Sequence, residues 1–138
     1  MHKLATCDDL NLPIISHPAM LGGFALPGVS GIADHLWLGL IPRMMGGDMP
    51  IFVSYGGRFT FTKEQVAKIA QAIRQPMEGL PAAIPSPGGG VTDARLDELV
   101  DLYGNDTMFL VGGDMFRRGP DLEDNMKHFV GRLENLAK

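Results

Sequence analysis

The sequence has very little cysteine, since Cys7 is the only one among 138 residues. A single thiol excludes a disulfide within the chain and fits a reducing compartment, so we expect a cytoplasmic protein. Long apolar runs are also missing: none reaches the ~18 residues of a membrane span. The start, "MHKLATCDDLNL", places two aspartates where a signal peptide has its apolar region. We therefore expect no membrane partner.

Positive charge is scarce as well, because 12 lysines and arginines stand against 16 aspartates and glutamates, for a formal net charge of −4. Nucleic-acid binding usually needs a basic face, so no nucleic-acid partner is expected. Apolar residues are plentiful, at 45% of the chain, and 138 residues are enough for one sizeable core. We predict a single domain over residues 1–138, with residues 1–11 as an N-terminal extension.

Glycine is abundant, at 18 residues, and it clusters after short apolar runs. These runs lack polar alternation, which is typical of strands buried on both faces. They are "LPIIS" at 12–16, "PIFVS" at 50–54, "PAAIP" at 81–85 and "TMFLV" at 107–111. Each leads through a glycine-rich connection into a helical pattern, so the sequence predicts four consecutive β-α units.

The first two helical patterns have clear boundary signals. The first is expected over about 30–45, with Pro42 ending or kinking it. The second begins with a Thr-x-x-Gln capping box at Thr62. Its predicted buried face holds Val66, Ile69 and Ile73.

The last two helical patterns are bounded in a similar way. The third is expected to start at Thr92 and to stop at Gly104, a left-handed C-cap. The fourth is expected to be capped by Asp121. The predicted buried stripes hold Leu96, Leu99, Val100 and Tyr103 on the third helix, and Met126, Phe129, Val130 and Leu133 on the fourth.

Consecutive β-α units imply a parallel sheet with right-handed crossovers, because each strand must return to the same end before the next begins. The glycine-rich loops then share the carboxyl edge of the sheet, where such folds place their sites. Arg58, Arg117 and Arg118 lie in these loops, while most acids fall on the helices or at their starts. The sequence therefore predicts a local cationic pocket in a weakly acidic protein.

Four segments together resemble the last four β-α units of the ribulose-bisphosphate carboxylase (RuBisCO) large-chain superfamily. They are "ISHPAMLGGF", "GGDMPIFVSYGGRFTF", "AAIPSPGGGVTDARLDELVDLYGND" and "MFLVGGDMF". They look most similar to RuBisCO-like (form IV) proteins, which do not fix carbon dioxide. The resemblance covers nearly all of residues 12–137 in the right order. It implies an α/β fold that is half of a TIM-type (β/α)8 barrel, completed by oligomerisation.

The resemblance also implies a phosphate site. Gly89, Gly90, Gly112 and Gly113 match the family's phosphate-gripping glycines, whose bare peptide N–H groups can approach a phosphate oxygen. Gly88 stands where carboxylating members have a serine that contacts the substrate. The ligand implied is a phosphorylated sugar or inorganic phosphate. The glycines could alternatively serve only tight strand-to-helix turns.

Two further residues match catalytic positions of the family. His17 matches a histidine at a strand end, although Pro18 replaces the arginine that follows it in true carboxylases. Arg58 occupies the position of the mobile-loop lysine that carboxylases need, so carbon dioxide fixation is not expected. Its loop, "YGGRF", is interpreted as mobile and able to close over an anion. The plain alternatives are a solvated arginine and a histidine that satisfies a neighbouring carbonyl.

The family's complete site implies magnesium, held by a lysine and two carboxylates that belong to the other half of the barrel. No Lys-x-Asp-Asp or Lys-x-Asp-Glu cluster occurs in this sequence, so no metal ligand and no cofactor on this chain alone are predicted. Without the metal the chain lacks the main electrostatic contribution to enediolate chemistry. We therefore expect it to be inactive or weak as an isolated enzyme.

Two functions remain open from the sequence. The chain is either the phosphate-holding half of an enzyme for enolisation, isomerisation or decarboxylation of a sugar phosphate, or a non-catalytic half-barrel that self-assembles. In both cases open strand edges and an exposed inner face predict a dimer of half-barrels or a complementary N-terminal half as partner. The inner face is expected to hold Ile14, Phe52, Ile84 and Phe109 or their immediate strand neighbours.

Overall fold

The computed structural model describes residues 1–7, 9–19, 25–26 and 30–137. In chain order its elements are α1 (His2–Ala5), β1 (Ile15–Ser16), β2 (Ala25–Leu26), β3 (Ser30–Gly31), a π-helical turn (Leu36–Leu40), α2 (Ile41–Met44), β4 (Met49–Val53), α3 (Lys63–Arg74), β5 (Ser86–Gly88), a 3-10 turn (Asp93–Arg95), α4 (Leu96–Tyr103), α5 (Gly113–Arg118) and α6 (Leu122–Leu136). No helix in these ranges is both long and apolar enough to cross a membrane.

A parallel sheet in the order β1-β4-β5 organises the chain. Its register pairs Ile15 with Met49 and Phe52 with Pro87. A separate small hairpin joins β2 to β3 in antiparallel fashion. The predicted α/β class with a parallel sheet is confirmed.

The third and fourth predicted strands differ from the sequence expectation. The third lies at Ser86–Gly88 instead of 81–85, and the fourth is a single parallel bridge between Leu110 and Gly88. Proline explains the weak fourth strand, because Pro85 and Pro87 lie beside it and have no N–H to donate to it. The carbonyls of Pro85 and Pro87 nevertheless accept hydrogen bonds from Met108 and Leu110, at 3.0 and 3.1 Å, which keeps the two segments side by side.

The first predicted helix begins later than expected, because Ser30 and Gly31 belong to the hairpin. Its helical part changes from a π-helical turn to α2 immediately before Pro42, and α2 continues through Pro42 to Met44. Pro42 therefore does not end the helix, because it lies in the first turn of α2, where a proline is tolerated. Gly39 lies in the π-helical turn, and a Cβ on it would come within 2.9 Å of the Ala72 Cβ. Glycine is therefore needed for this turn to pack closely on α3.

The core lies between the sheet and its helices. The capping box predicted at Thr62 is present, with both of its hydrogen bonds to Gln65. The predicted face of α3 is fully buried, which confirms Val66, Ile69 and Ile73. Tyr103 closes the core from α4: its hydroxyl is 3.0 Å from Ser54 Oγ, and burial raises its pKa to about 12.

The later helices confirm the predicted caps in part. Asp121 caps α6, and Gly104 follows α4 with φ 77°. The ψ of Gly104 is 174°, so its backbone is not left-handed helical as predicted, although it still favours glycine. On α6 the predicted stripe is only half right: Phe129 is buried, whereas Met126 and Val130 are 48% and 45% exposed.

The two faces of the sheet differ in burial. Phe52 is 0% exposed and meets the Tyr103 ring edge-on at 5.7 Å, so it lies on the helix face. Phe109 also packs against Tyr103, at 6.3 Å. Of the alternatives that the sequence left open, the strand neighbours of the two phenylalanines therefore face the open side, because strand alternation turns the two rings toward the helices. Ile84 and Ile15, the neighbour of Ile14, are 43% and 53% exposed on the open side.

Candidate site at the carboxyl edge of the sheet

Three glycine-rich loops leave the sheet at neighbouring positions. The last residue of β4, Val53, pairs with Gly88, and Gly88 pairs in turn with Leu110. The loops that start at these residues must therefore lie side by side, because parallel strands end at one edge. The structure thus brings together the segments 55–58, 88–90 and 112–113 that the sequence singled out.

The predicted glycine triplet divides into three environments. Gly88 belongs to the strand, where its carbonyl accepts from the Ser54 N–H at 2.8 Å. Gly89 and Gly90 both have φ of +75°, which side-chain-bearing residues rarely adopt. Gly89 is exposed, and a Cβ on it would meet only the Val53 side chain, at 3.8 Å. Of the three, Gly89 therefore presents the most open backbone.

The loop that carries Arg58 lies directly on this triplet. A Cβ on Gly57 would come within 2.8 Å of the Gly90 nitrogen, so these two glycines pack backbone against backbone. Gly56 has φ of +73°, and a Cβ on it would come within 2.7 Å of the Arg95 guanidinium. The two loop glycines thus serve close packing in this structure, a role that the sequence did not indicate.

Arg58 itself is exposed, with its guanidinium 5.0 Å from the centroid of the Phe59 ring. Among the described residues it has no acidic partner. Its charge is therefore available to an anion beside the loops.

Arg95 was not singled out from the sequence, yet it connects two of the loops. Its Nη1 donates to the carbonyls of Tyr55 and Gly90, at 2.8 and 2.9 Å. Its guanidinium also lies 4.5 Å from the centroid of the Tyr55 ring, while Nε is 3.3 Å from Glu98 Oε2. Burial and the hydroxyl's contact with Glu98 raise the pKa of Tyr55. The sequence signal for Arg95 is only its position, one turn after the triplet.

The loop after Leu110 is open but largely neutral. Nothing lies within 4 Å of a Cβ built on Gly112, and a Cβ on Gly113 would meet only Arg117 Nη1, at 3.7 Å. Asp114 pairs with Arg117 at 3.2 Å and accepts from the Asp93 N–H at 2.9 Å. The predicted cationic pocket is weaker than expected here, because this carboxylate offsets one of its arginines.

Arg118 also pairs with a carboxylate, within a cluster of charged side chains around Asp93. His128 Nε2 lies 2.9 Å from one Asp93 oxygen and Arg132 Nε 3.3 Å from the same oxygen, while Arg118 Nη1 is 3.7 Å from the other. The hydrogen bond from His128, followed by the nearby cations, lowers the pKa of Asp93. This cluster joins the start of α4 to α6, so we assign it a structural role.

His17 directly follows β1 and is exposed. It borders a cavity of about 170 Å³ that is also lined by Trp37 and Ile51. Because β1 ends at the level of Pro50, His17 lies lower along the sheet than the glycine loops. The structure thus places His17 just beyond the end of β1, and not in contact with the glycine triplet.

A larger cleft, of about 690 Å³, lies at the opposite end of the strands. The residues that line it include Leu4, Leu12, Met49 and Ile84. Its main carboxylate, that of Asp48, already accepts from the Ile14 N–H at 2.7 Å. This mostly aliphatic cleft adjoins the uncovered face of the sheet and lies away from the glycine loops.

The residues present do not fit a magnesium site. Within the described part of the chain, no three His, Cys, Asp or Glu side chains come together as a metal-binding group.

The fold and loops define a class: an α/β protein whose parallel strands deliver glycine-rich loops and an unpaired arginine to one edge. No protein-family model matches the sequence. It is 35% identical over 122 residues to ribulose bisphosphate carboxylase-like protein 1 of Rhodopseudomonas palustris, covering 88% of this chain and 32% of that protein. It is 34% identical to 5-methylthioribulose-1-phosphate isomerase of Rhodospirillum rubrum, covering 81% of this chain and 30% of that protein.

Solved structures agree with these relatives. The crystal structure of a RuBisCO-like protein from Rhodopseudomonas palustris superposes with a TM-score of 0.82 at 33% identity, covering 99% of this chain and 34% of that one. This chain belongs to the RuBisCO large-chain superfamily and is similar to its RuBisCO-like members. It spans about a third of the length of the relatives that it matches.

Proposed function

We propose that this chain is the phosphate-binding part of a RuBisCO-like sugar-phosphate enzyme, of the enolisation, isomerisation or decarboxylation type. Two relatives support the substrate class by name: the isomerase above, and 2,3-diketo-5-methylthiopentyl-1-phosphate enolase of Geobacillus kaustophilus, 31% identical over 82% of this chain and 27% of that protein. Both names describe a phosphate monoester on a carbon chain. Carbon dioxide fixation is not proposed, because an arginine stands at position 58.

The arrangement of the loops is the observation that carries the proposal. Gly89 and Gly112 have open backbones, they follow paired strand positions, and the loop of Arg58 lies on the same triplet. A bare backbone lets peptide N–H groups approach a phosphate oxygen, and an unpaired guanidinium adds two parallel donors and a charge. We assign Gly88, Gly89, Gly90, Gly112 and Gly113 to phosphate binding, with Gly88 and Gly90 shaping the loop more than contacting the ligand.

The chemical roles assigned to this chain are limited to binding and proton transfer. Arg58 would hold the anionic end of the substrate, and His17 would transfer a proton as a general acid or base. Enolisation also needs stabilisation of the developing enolate oxygen. That contribution is assigned to groups outside this chain, which is why we expect little turnover from the chain alone.

Isothermal titration with inorganic phosphate, ribose 5-phosphate and ribose tests the site. Gly113→Val should weaken binding of both phosphate compounds by about tenfold or more, because the added side chain blocks an approach to bare peptide groups. Position 113 begins α5 and its φ is not left-handed, so the substitution is tolerated by the backbone. Ribose binding should not change.

Gly131→Val is the control, since Gly131 lies on α6, away from the loops, and a Cβ on it has nothing within 4 Å. It should bind phosphate like the unsubstituted chain. Equal phosphate affinity in the Gly113→Val variant, or no phosphate binding by the parent chain, would refute the site.

A second candidate function is self-assembly into a closed barrel without catalysis. The exposure of Ile15 and Ile84 on one face of a parallel sheet favours it. Burying such a side chain contributes about 1.5–3 kcal/mol, and the sheet has open edges at β1 and at Leu110. A dimer of half-barrels would cover both, and a complementary N-terminal half would do the same in a longer assembly.

Analytical ultracentrifugation at low micromolar concentration tests this association. The parent chain should sediment as a dimer or larger species, and Ile84→Asp should shift it toward monomer by at least tenfold in Kd, because a carboxylate would be desolvated on association. Glu78→Lys, an exposed charge change outside the open face, is the control. A stable, well-folded parent monomer would exclude the assembly.

A further inference from the structure

Arg95 contacts more of the site than any single loop residue. It starts from the 3-10 turn after the triplet, and one nitrogen, Nη1, donates to a carbonyl of each loop: that of Tyr55 and that of Gly90. Its side chain is only 22% exposed. Two charge-assisted hydrogen bonds from one partly buried guanidinium join segments that are about 35 residues apart in sequence, Tyr55 and Gly90.

The glycines on both sides are shaped to this contact. Gly56 leaves room for the guanidinium, since a Cβ there would be 2.7 Å from Nη1 and 3.0 Å from Cζ. Gly57 and Gly90 leave room for each other, since a Cβ on either would lie 2.8 Å from the backbone nitrogen of the other. Side chains at these positions would push the loops apart.

The Tyr55 ring completes the contact. It lies over the Arg95 guanidinium at 4.5 Å, and its hydroxyl hydrogen-bonds Glu98, which in turn pairs with Arg95. The Arg95–Glu98 ion pair alone would contribute little, because the Glu98 side chain is 44% exposed and the pair lies on one helical turn. The planar stacking and the two carbonyl contacts suit an arginine better than a lysine.

From this geometry we propose that Arg95 is a positioning residue, which holds the Tyr55–Arg58 loop on the glycine triplet so that Arg58 and Gly89 act as one preorganised anion-binding unit. The loop is then docked before any ligand arrives, rather than a lid that closes on it. The part of this proposal that concerns the anion rests on the proposed phosphate site. The docking of the loop does not depend on it.

Hydrogen–deuterium exchange of the full chain, followed by NMR without ligand, tests the docking. Arg95→Gln should speed amide exchange at Gly56, Gly57 and Gly90 by about tenfold or more, because the two carbonyl contacts lose their charged donor. Arg132→Gln removes another ion-paired arginine, one that contacts neither loop, and should leave these amides unchanged. Unchanged exchange in a folded Arg95→Gln variant would overturn the proposal.

Should Arg95→Gln fail to fold, Arg95→Lys provides the second variant. It keeps the charge and loses the planar fork, so exchange at the same amides should rise by a smaller factor, about threefold. Exchange at parent rates in Arg95→Lys would show that any cation suffices and would overturn the positioning role of the guanidinium.

A double-mutant cycle with inorganic phosphate tests the coupling to Arg58. In the parent chain Arg58→Ala should weaken phosphate binding about five- to tenfold, whereas in the Arg95→Gln background it should weaken it less than twofold. A purely structural Arg95 would lower stability and leave the two factors equal, which would overturn the coupling. If the parent chain binds no phosphate, the proposed function fails, and the exchange measurement still decides whether Arg95 docks the loop.

Discussion

Helices cover one face of the parallel sheet and leave the opposite face exposed. On the helix face, Phe52 and Ser54 are fully buried beneath α3 and α4. On the opposite face, Ile15 and Ile84 remain about half exposed. Both faces carry large apolar side chains, so apolar character alone does not decide burial. What decides it is that the chain supplies helices to one face only.

The comparison shows which face of the sheet stabilises the fold. Helix burial on one side provides a continuous core, from Leu38 to Phe129, that does not involve the open face. The open face therefore adds little to this core, and in the proposed assembly it would contribute to association instead. Substitutions on the two faces should separate these two free energies.

The largest expected effect is on the helix face. Phe52→Ala should lower the free energy of unfolding by about 3–5 kcal/mol, because it empties the space against Tyr103 and leaves a cavity. Ile84→Ala, on the open face, should cost less than about 1 kcal/mol. Urea unfolding followed by circular dichroism, at several chain concentrations so that any contribution from association is separated, measures both. Similar losses at the two positions would contradict the one-sided core.

A smaller loss of stability is expected on substitution of Arg43, which hydrogen-bonds the end of α3 on the helix face of the sheet. It is 3% exposed, and its guanidinium donates to the carbonyls of Ala72, Gln75 and Pro81, at 2.8, 2.9 and 2.9 Å. Arg43→Met should lower the free energy of unfolding by about 3 kcal/mol, because these carbonyls lose a charged donor. Thermal and urea unfolding provide the measurement. Arg132→Met, at a partly exposed arginine, is the control, and an equal loss there would show that the buried contacts add nothing.

The smallest effect concerns the ion cluster at the start of α4. The folded-state pKa of Asp93 is lowered, chiefly by His128, so its contribution is present above the usual aspartate pKa and is lost as pH falls through the lowered value. Asp93→Asn should cost about 1 kcal/mol at pH 7, discounted for partial exposure, and the difference should vanish at low pH. Unfolding at pH 3 to 7 tests this. A difference that persists unchanged to pH 3 would contradict the electrostatic origin.

Much of the fold could be predicted from local signals. The capping box at Thr62, the cap at Asp121 and the buried face of α3 depend on neighbours a few residues away, and all three are confirmed. The stripe on α6 was half wrong because a helical pattern identifies an apolar face but not which part of it meets a partner. The sequence left open whether Phe52 or its strand neighbours face the open side for a related reason, since alternation does not say which side the helices cover.

The sequence by itself determined the α/β class, the order of strands and loops, and the family, because these follow from apolar runs, glycine clusters and four ordered segments. Only the tertiary structure decided what the loop glycines do. Gly57 and Gly90 meet across segments distant in sequence, and Arg95 bonds to both segments. Such contacts depend on the register of β4 with β5, which no local pattern contains. The loops therefore lie together only because pairing within the sheet aligns the strands that precede them.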